Sequence, residues 1–231
     1  LRHYNIPIFV PEEACPNRCV FCNQYKISGS YKMPSIAEVE DKILTYLKTF
    51  KPESRIEIAF FGGNFTGIEI SLQKQLLDLA QKYIDNGLVH GIRLSTRPDY
   101  IDKDRMIFLS GYTISCIELG AQSLDEEVLK LSGRGHSAVD ISKASALIKE
   151  YEIELGLQMM IGLPGDTIEK SAKTAEGIVQ LGANSTRIYP TLVIENTKLA
   201  DLYRKGEYQP LSLEEAVERV KSIVPVFEKG G

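Results

Sequence analysis

Cys15, Cys19 and Cys22 stand in a CxxxCxxC spacing just after the apolar segment Ile6–Val10. Three thiolates within eight residues suit a single metal centre. The count carries information. A closed structural zinc site takes four protein ligands, and a closed four-iron cluster takes one cysteine per iron. Three cysteines on a four-iron cluster leave one iron open, and metal chemistry happens at an open coordination position. The fourth cysteine, Cys116, lies alone in the apolar stretch Tyr112–Ile117 and is expected to be a packed strand residue.

A strand precedes the triplet, and the strand pattern recurs. Short apolar runs bounded by Gly, Pro or polar residues cover Ile6–Val10, Arg55–Phe61, Gly91–Ser95, Thr113–Gly120, Glu154–Ile161 and Thr186–Tyr189. Helical periodicity fills the gaps. One helix places Ile36, Val39, Ile43, Leu44 and Leu47 on one face, with Ser35 and Glu38 at capping-box spacing. Others cover Leu72–Asp85, Asp125–Leu131, Ala138–Lys149, Ile168–Leu181 and Leu199–Lys205. The last starts near Leu213, where Ser212 and Glu215 repeat the capping box. Strand and helix in alternation make an α/β fold with parallel strands, either open and doubly wound or curled. A full eight-unit barrel needs about 250 residues, so six units suggest a partial (β/α)6 TIM-like barrel. No internal linker or repeat divides residues 1–231, so one domain is expected.

In parallel α/β folds, ligands gather at the C-terminal ends of the strands. The unusual residues of this chain fall there. The triplet follows the first strand, and Gly62, Gly63 and Asn64 follow the second. Ser95, Arg97 and Asp99 follow the third, and the fourth ends in Glu118–Ser123 with Gln122. Gln158 lies on the fifth strand, which ends in Gly162-Leu163-Pro164-Gly165, and Tyr189 closes the sixth. Glycines at 62 and 63 let backbone groups approach a ligand. Gln122 offers an amide, and Arg134 a planar fork suited to a carboxylate. Arg97 either contacts an anion or pairs with Asp99. Phe21 either faces a planar ring or packs in the core. His3, His90 and His136 lack ligand spacing and read as ordinary residues.

Composition narrows the class. The 231 residues are 43% hydrophobic and 25% charged, as in globular domains. No apolar run reaches membrane-spanning length, and no signal peptide is evident. Cysteines this close together favour a cytosolic metal site over a disulfide framework, so the expected location is cytoplasmic. The net charge of −4 gives no bulk attraction for nucleic acid.

The triplet with Phe21 before its last cysteine, the Gly62-Gly63 turn, the Gly120–Ser123 strand end and Gly162–Gly165 together resemble the radical S-adenosylmethionine (SAM) superfamily. Within it, Ser95–Ile101, Glu118–Ser123, Arg134–His136, Ile188–Val193 and Gly206–Val217 are most similar to the radical domain of the Elongator catalytic subunit and its shorter bacterial relatives. Oxygen-independent coproporphyrinogen III dehydrogenase is a more distant likeness. The resemblance implies a [4Fe–4S] cluster on Cys15, Cys19 and Cys22, with S-adenosyl-L-methionine on the open iron. It implies Gly62, Gly63 and Asn64 at the methionine end, Ser95 near the ribose, and Phe21 at the adenine. Gln122, Arg134 and Gln158 complete the implied pocket, with Arg134 near the carboxylate.

The implied chemistry is reductive cleavage of S-adenosylmethionine to a 5′-deoxyadenosyl radical that takes hydrogen from a substrate, fed by an external one-electron donor. An RNA base, a small metabolite and a tetrapyrrole are all open as substrates, and the acidic balance weighs against RNA. Many relatives carry Glu where Asn64 stands, and Elongator relatives usually carry Glu where Ser95 stands. Elongator proteins also carry an acetyltransferase domain, for which this length leaves no room. Residues 1–231 are thus expected to be one radical SAM domain, a fragment or a chain lacking a C-terminal extension. The alternative is a non-catalytic metal- or S-adenosylmethionine-binding module.

Overall fold

Alternation along each strand decides the two faces of the sheet. In β2 (Arg55–Gly62), Ile56, Ile58 and Phe60 are buried on one face, while Arg55, Glu57, Ala59 and Phe61 share the other. The apolar set continues through Ile6, Ile8 and Val10 of β1 (His3–Val10) and Ile92 and Leu94 of β3 (Gly91–Thr96). Ile117, Leu119 and Ala121 of β4 (Ile114–Gln122) and Leu155, Leu157 and Met159 of β5 (Glu154–Ile161) extend it. The opposite face carries most of the charge. A computed structural model of the chain describes residues 2–11, 15, 19–29, 32–51 and 53–230.

The six strands, ending with β6 (Ser185–Pro190), pair in chain order and all run parallel. A short α1 (Gln24–Ser28) follows the cysteines. The crossovers contain α2 (Ile36–Leu47), α3 (Ile70–Asp85), α4 (Lys103–Leu109), α5 (Glu126–Leu131), α6 (Ala138–Glu150) and α7 (Ile168–Gln180). α8 (Lys198–Arg204) and α9 (Leu213–Gly230) complete the chain, and α9 packs along α7. The helices cover the apolar face with residues such as Ile43, Leu76, Leu77, Ile148 and Ile178. Each such side chain contributes about 1.5–3 kcal/mol of burial.

Both expected capping boxes form. Ser35 and Glu38 bond reciprocally at the start of α2, and Ser212 and Glu215 do so at the start of α9. No helix among the described residues is long and apolar enough to cross a membrane.

Contacts across the concave face show that the sheet is curled. The Arg187 guanidinium of β6 lies 4.8 Å from the centre of the Phe61 ring in β2. Arg93 of β3 reaches Glu154 of β5 at 3.9 Å. In a flat sheet, β2 and β6 would stand about 19 Å apart at a strand spacing of about 4.8 Å. The fold is therefore a half-barrel of six parallel strands, with the charged face turned inward.

Candidate active site

A cavity of about 420 Å³ opens at the C-terminal rim of the strands. Cys15, Cys19 and Cys22 border it, with Phe21 between the last two. Gly62, Gly63, Ser95, Gln122, Arg134 and Gln158 line the rest. Gln24, Tyr25, Thr96 and Gly120, which the sequence did not single out for a pocket, also line it.

The backbone is shaped to keep this space clear. Gly62 has φ +117°, and a Cβ there would overlap the carbonyl oxygen of Val10. A Cβ on Gly120 would come within 3.1 Å of Gln122 Nε2 and 3.3 Å of Arg134 Nη2. The β4–β5 register slips between Gly120 and Gln122, and Gln122 takes φ +68°. That conformation costs a residue with a side chain about 1–2 kcal/mol.

The cysteine segment is tied to distant parts of the chain. The Val20 N–H donates to Ser132 O at 3.0 Å, and the Leu199 N–H donates to Val20 O at 2.8 Å. Asn23 caps α1 and donates from Nδ2 to Glu195 O at 3.3 Å. No disulfide joins any of the cysteines. Among the described residues, no three His, Cys, Asp or Glu side chains converge on one metal ion. A four-iron cube makes a different demand, since it takes each thiolate on a separate iron.

Two arginines face the cysteines. Arg134 donates from Nη1 to Cys19 Sγ at 3.1 Å and from Nη2 to Gly120 O. Arg97 pairs with Asp99 through Nε and Nη2, both at 2.9 Å, and donates from Nη2 to Arg134 O at 2.6 Å. Burial works against the charge on Arg97. Asp99 and the nearby Cys19 and Cys15 thiols outweigh it and hold the guanidinium pKa above its ordinary value. Of the two readings of Arg97, the pairing with Asp99 is the one seen, and its Nη1 is buried without a hydrogen bond. His136 lies behind the arginines. Burial, reinforced by Arg134 and Arg97, pushes its pKa down to about 4, so its ring is neutral at pH 7.

Asn64 is placed differently from the other expected residues. It is fully buried and does not border the cavity. Its Oδ1 accepts from Thr96 Oγ1 at 2.6 Å and from the Arg97 N–H at 3.2 Å, so it braces the turn that presents Arg97.

Polar atoms around the cavity lack partners within the protein. Ser95 Oγ, Arg97 Nη1, Gln122 Oε1 and Arg134 Nε are buried without a hydrogen bond. Each such atom costs about 1–3 kcal/mol unless something bonds it. Their convergence on one space marks it as built for a polar guest.

An ionic row in the lumen has no counterpart in the sequence reading. Glu57 is paired with Arg93 and His3, both at 3.0 Å. Burial alone would raise its pKa, but Arg93 and His3 outweigh it and hold the carboxyl below the ordinary value. Glu118 accepts from Arg93 at 3.1 Å, from Arg187 at 2.8 Å and from Gln158 at 2.8 Å. The period-two polar residues of β2 and β3, set between Ile56, Ile58, Ile92 and Leu94, carried the signal for this row.

Comparison with known proteins adds a second line of argument. Residues 10–177 match the Radical SAM superfamily, and residues 183–230 match the Radical_SAM C-terminal domain. The chain is 32% identical to the tRNA uridine(34) acetyltransferase of Methanocaldococcus jannaschii over an alignment of 264 positions, gaps included, that covers 95% of this chain and 49% of that protein. Among solved structures, Elp3 of Methanocaldococcus infernus with an N-terminal deletion superposes with a TM-score of 0.74 at 27% identity, over 94% of this chain and 52% of that one. Coproporphyrinogen III oxidase of Escherichia coli, at 16% identity and a TM-score of 0.68, shares the fold over 100% of this chain and 52% of its own. The chain spans about half the length of the curated relatives it matches. The expected likenesses are thus borne out, and from sheet, motifs and matched segments alike the chain belongs to the radical SAM superfamily.

Proposed function

We propose that this chain is the radical domain of an enzyme that modifies an RNA base. The family's cofactors are a [4Fe–4S] cluster and S-adenosylmethionine. The cavity residues fit them. Three thiols border one space, Gly120 leaves room beside Gln122 and Arg134 that a Cβ would fill, and four buried polar atoms point to a polar guest. Cys15, Cys19 and Cys22 would hold the cluster. Gly62 and Gly63 would meet the methionine end through their backbone, and Ser95 and Gln122 the ribose. Arg134 and the unpaired Nη1 of Arg97 would meet the carboxylate, and Phe21 the adenine. Asn64 acts from behind by fixing the Arg97 turn. When bound, the two cofactors supply a 5′-deoxyadenosyl radical that takes hydrogen from a substrate.

The protein's own part is orientation and exclusion of water. Arg134 sets a positive charge against Cys19, and the walls of β3 to β5 keep the space enclosed. An external one-electron donor is required. The RNA-base reading is supported by the likeness to a tRNA uridine(34) acetyltransferase. With a net charge of −4, affinity for RNA has to come from local contacts.

The observation that carries the proposal is the convergence of three cysteines and four unpaired polar atoms on one cavity. Anaerobic reconstitution with iron and sulfide tests it. The expected result is an iron-loaded protein that releases 5′-deoxyadenosine from S-adenosylmethionine only when a reductant is added. Iron-loaded protein that releases none under several reductants refutes the enzymatic reading. Cys19→Ser is expected to lose both the iron and the release.

A further inference from the structure

The lumen beside the cavity holds a group that the cofactor assignments leave unused. Arg187 projects from β6 onto the concave face, where its Nη2 donates to Glu118 at 2.8 Å. Its guanidinium lies 4.8 Å over the Phe61 ring. Glu118 also accepts from Gln158 Nε2 at 2.8 Å, and Gln158 borders the cavity. A hydrogen-bonded row therefore joins Arg187 to the cavity wall. The Arg187 side chain is 40% exposed, and its Nε and Nη1 hydrogens meet no acceptor among the described residues. Nε2 of Gln158 gives one hydrogen to Glu118, which fixes the orientation of the amide and leaves its carbonyl oxygen to accept.

The charge balance of the lumen restricts what fits. Glu57, Glu118 and Glu154 face Arg55, Arg93 and Arg187. Neither sign is in surplus, so the lumen has no free charge with which to neutralise an ionic substrate. What it offers is a guanidinium plane over an aromatic ring, unused N–H donors and one amide acceptor. A neutral planar ring with carbonyl oxygens and a ring N–H matches that set.

We propose that Arg187 is a specificity-determining residue that seats a uracil-type base beside the cavity, donating to a base carbonyl while Gln158 accepts from the ring N–H. The assignment rests on the RNA-base reading above. Cytosine lacks that ring N–H and carries an amine in place of the second carbonyl, so it would set its ring nitrogen against the Gln158 oxygen and its amine against the Arg187 donors.

The test uses the full chain loaded with cluster and S-adenosylmethionine. The probes are an unmodified tRNA transcript with uridine at position 34, the position named in the relative, and the same transcript with cytidine there. The uridine transcript is expected to bind about tenfold more tightly than the cytidine one. Arg187→Gln is expected to weaken uridine binding about tenfold and to reduce that preference, with Gln158 still in place. Arg187→Lys keeps the charge opposite Glu118 but loses the planar fork, and is expected to behave similarly.

Iron content and affinity for S-adenosylmethionine, measured on each variant, report whether the site is assembled. Wild-type affinity for the uridine transcript in an assembled Arg187→Gln protein overturns this assignment and leaves the RNA-base reading intact. Wild-type protein that binds neither transcript overturns the RNA-base reading and this assignment with it. Photocrosslinking of the wild-type protein to a transcript carrying 4-thiouridine at that position needs no variant. Adducts at Phe61 or within residues 185–190 support the assignment, and adducts confined to other segments overturn it.

Discussion

Gly62→Ala tests how the first two strands hold the cavity open. At φ +117°, Gly62 occupies backbone space nearly closed to residues with a Cβ, which costs about 1–2 kcal/mol. The new methyl would also overlap the carbonyl oxygen of Val10 and approach Phe9 Cζ to 3.0 Å. That carbonyl cannot simply move away, because it accepts the Gly63 N–H at 2.8 Å. Disturbing this bond costs about 1 kcal/mol, and overpacking costs about 1–3 kcal/mol more. The total is about 4 kcal/mol, which lowers the melting temperature of a chain this long by about 10 °C.

Gly87→Ala is the control. Gly87 also has positive φ, at +69°, but a Cβ there meets nothing within 4 Å, so its cost is about 1 kcal/mol. Circular dichroism melts of the two proteins without cofactors supply the comparison. Iron loading after reconstitution should also fall in Gly62→Ala, because β1 leads directly into Cys15. If Gly62→Ala melts within a degree or two of Gly87→Ala, the claimed overlap is wrong.

Three further expectations follow from buried ionisable groups. His136 titrates at about 4 in the folded chain against about 6.5 when unfolded, so the unfolded chain binds the extra proton first. Stability should therefore fall as the pH drops from about 6.5 toward 4, by about 3 kcal/mol, and urea midpoints at pH 7 and 4.5 should show a smaller gap in His136→Gln. Burial pushes the Cys116 thiol up to about 12, so in cofactor-free protein at pH 8 mass spectrometry should find Cys15 and Cys22 alkylated by iodoacetamide well before Cys116. Glu118→Gln leaves Arg93 and Arg187 without their shared carboxylate and should cost about 3 kcal/mol in urea unfolding, whereas an unchanged midpoint would remove this carboxylate from the forces that hold the curl.

The strands and the longer helices were legible because each repeats a period over enough residues. Ile36–Leu47 and Ile168–Gln180 bury regular stripes, and Ser35 and Ser212 mark starts that their caps confirm. α4 escaped notice because its seven residues bury only Met106 and Leu109. α1 spans five residues, too few for any period to show. The curl was legible only in the count of six units, which suggested a partial barrel, and not in any local pattern. Pairing between neighbouring strands is the same in a flat sheet and a curled one, and only contacts such as Arg187 on Phe61 separate the two. At the site, residue type and strand-end position located the cavity lining. Motif position did not show that the Asn64 side chain bonds Thr96 and Arg97, because its orientation depends on how those residues fold back over it.

The ties that seat the cysteine segment impose an order of events during synthesis. Val20 is gripped by Ser132 and by Leu199, and Asn23 by Glu195, so the cysteine segment completes its anchorage only once residue 199 has been made. On a translating ribosome, the thiols emerge long before the partners that hold their loop. Iron delivered to a half-made chain would meet a loosely held tether, and a ribosome stalled before residue 199 would release a product unable to seat it.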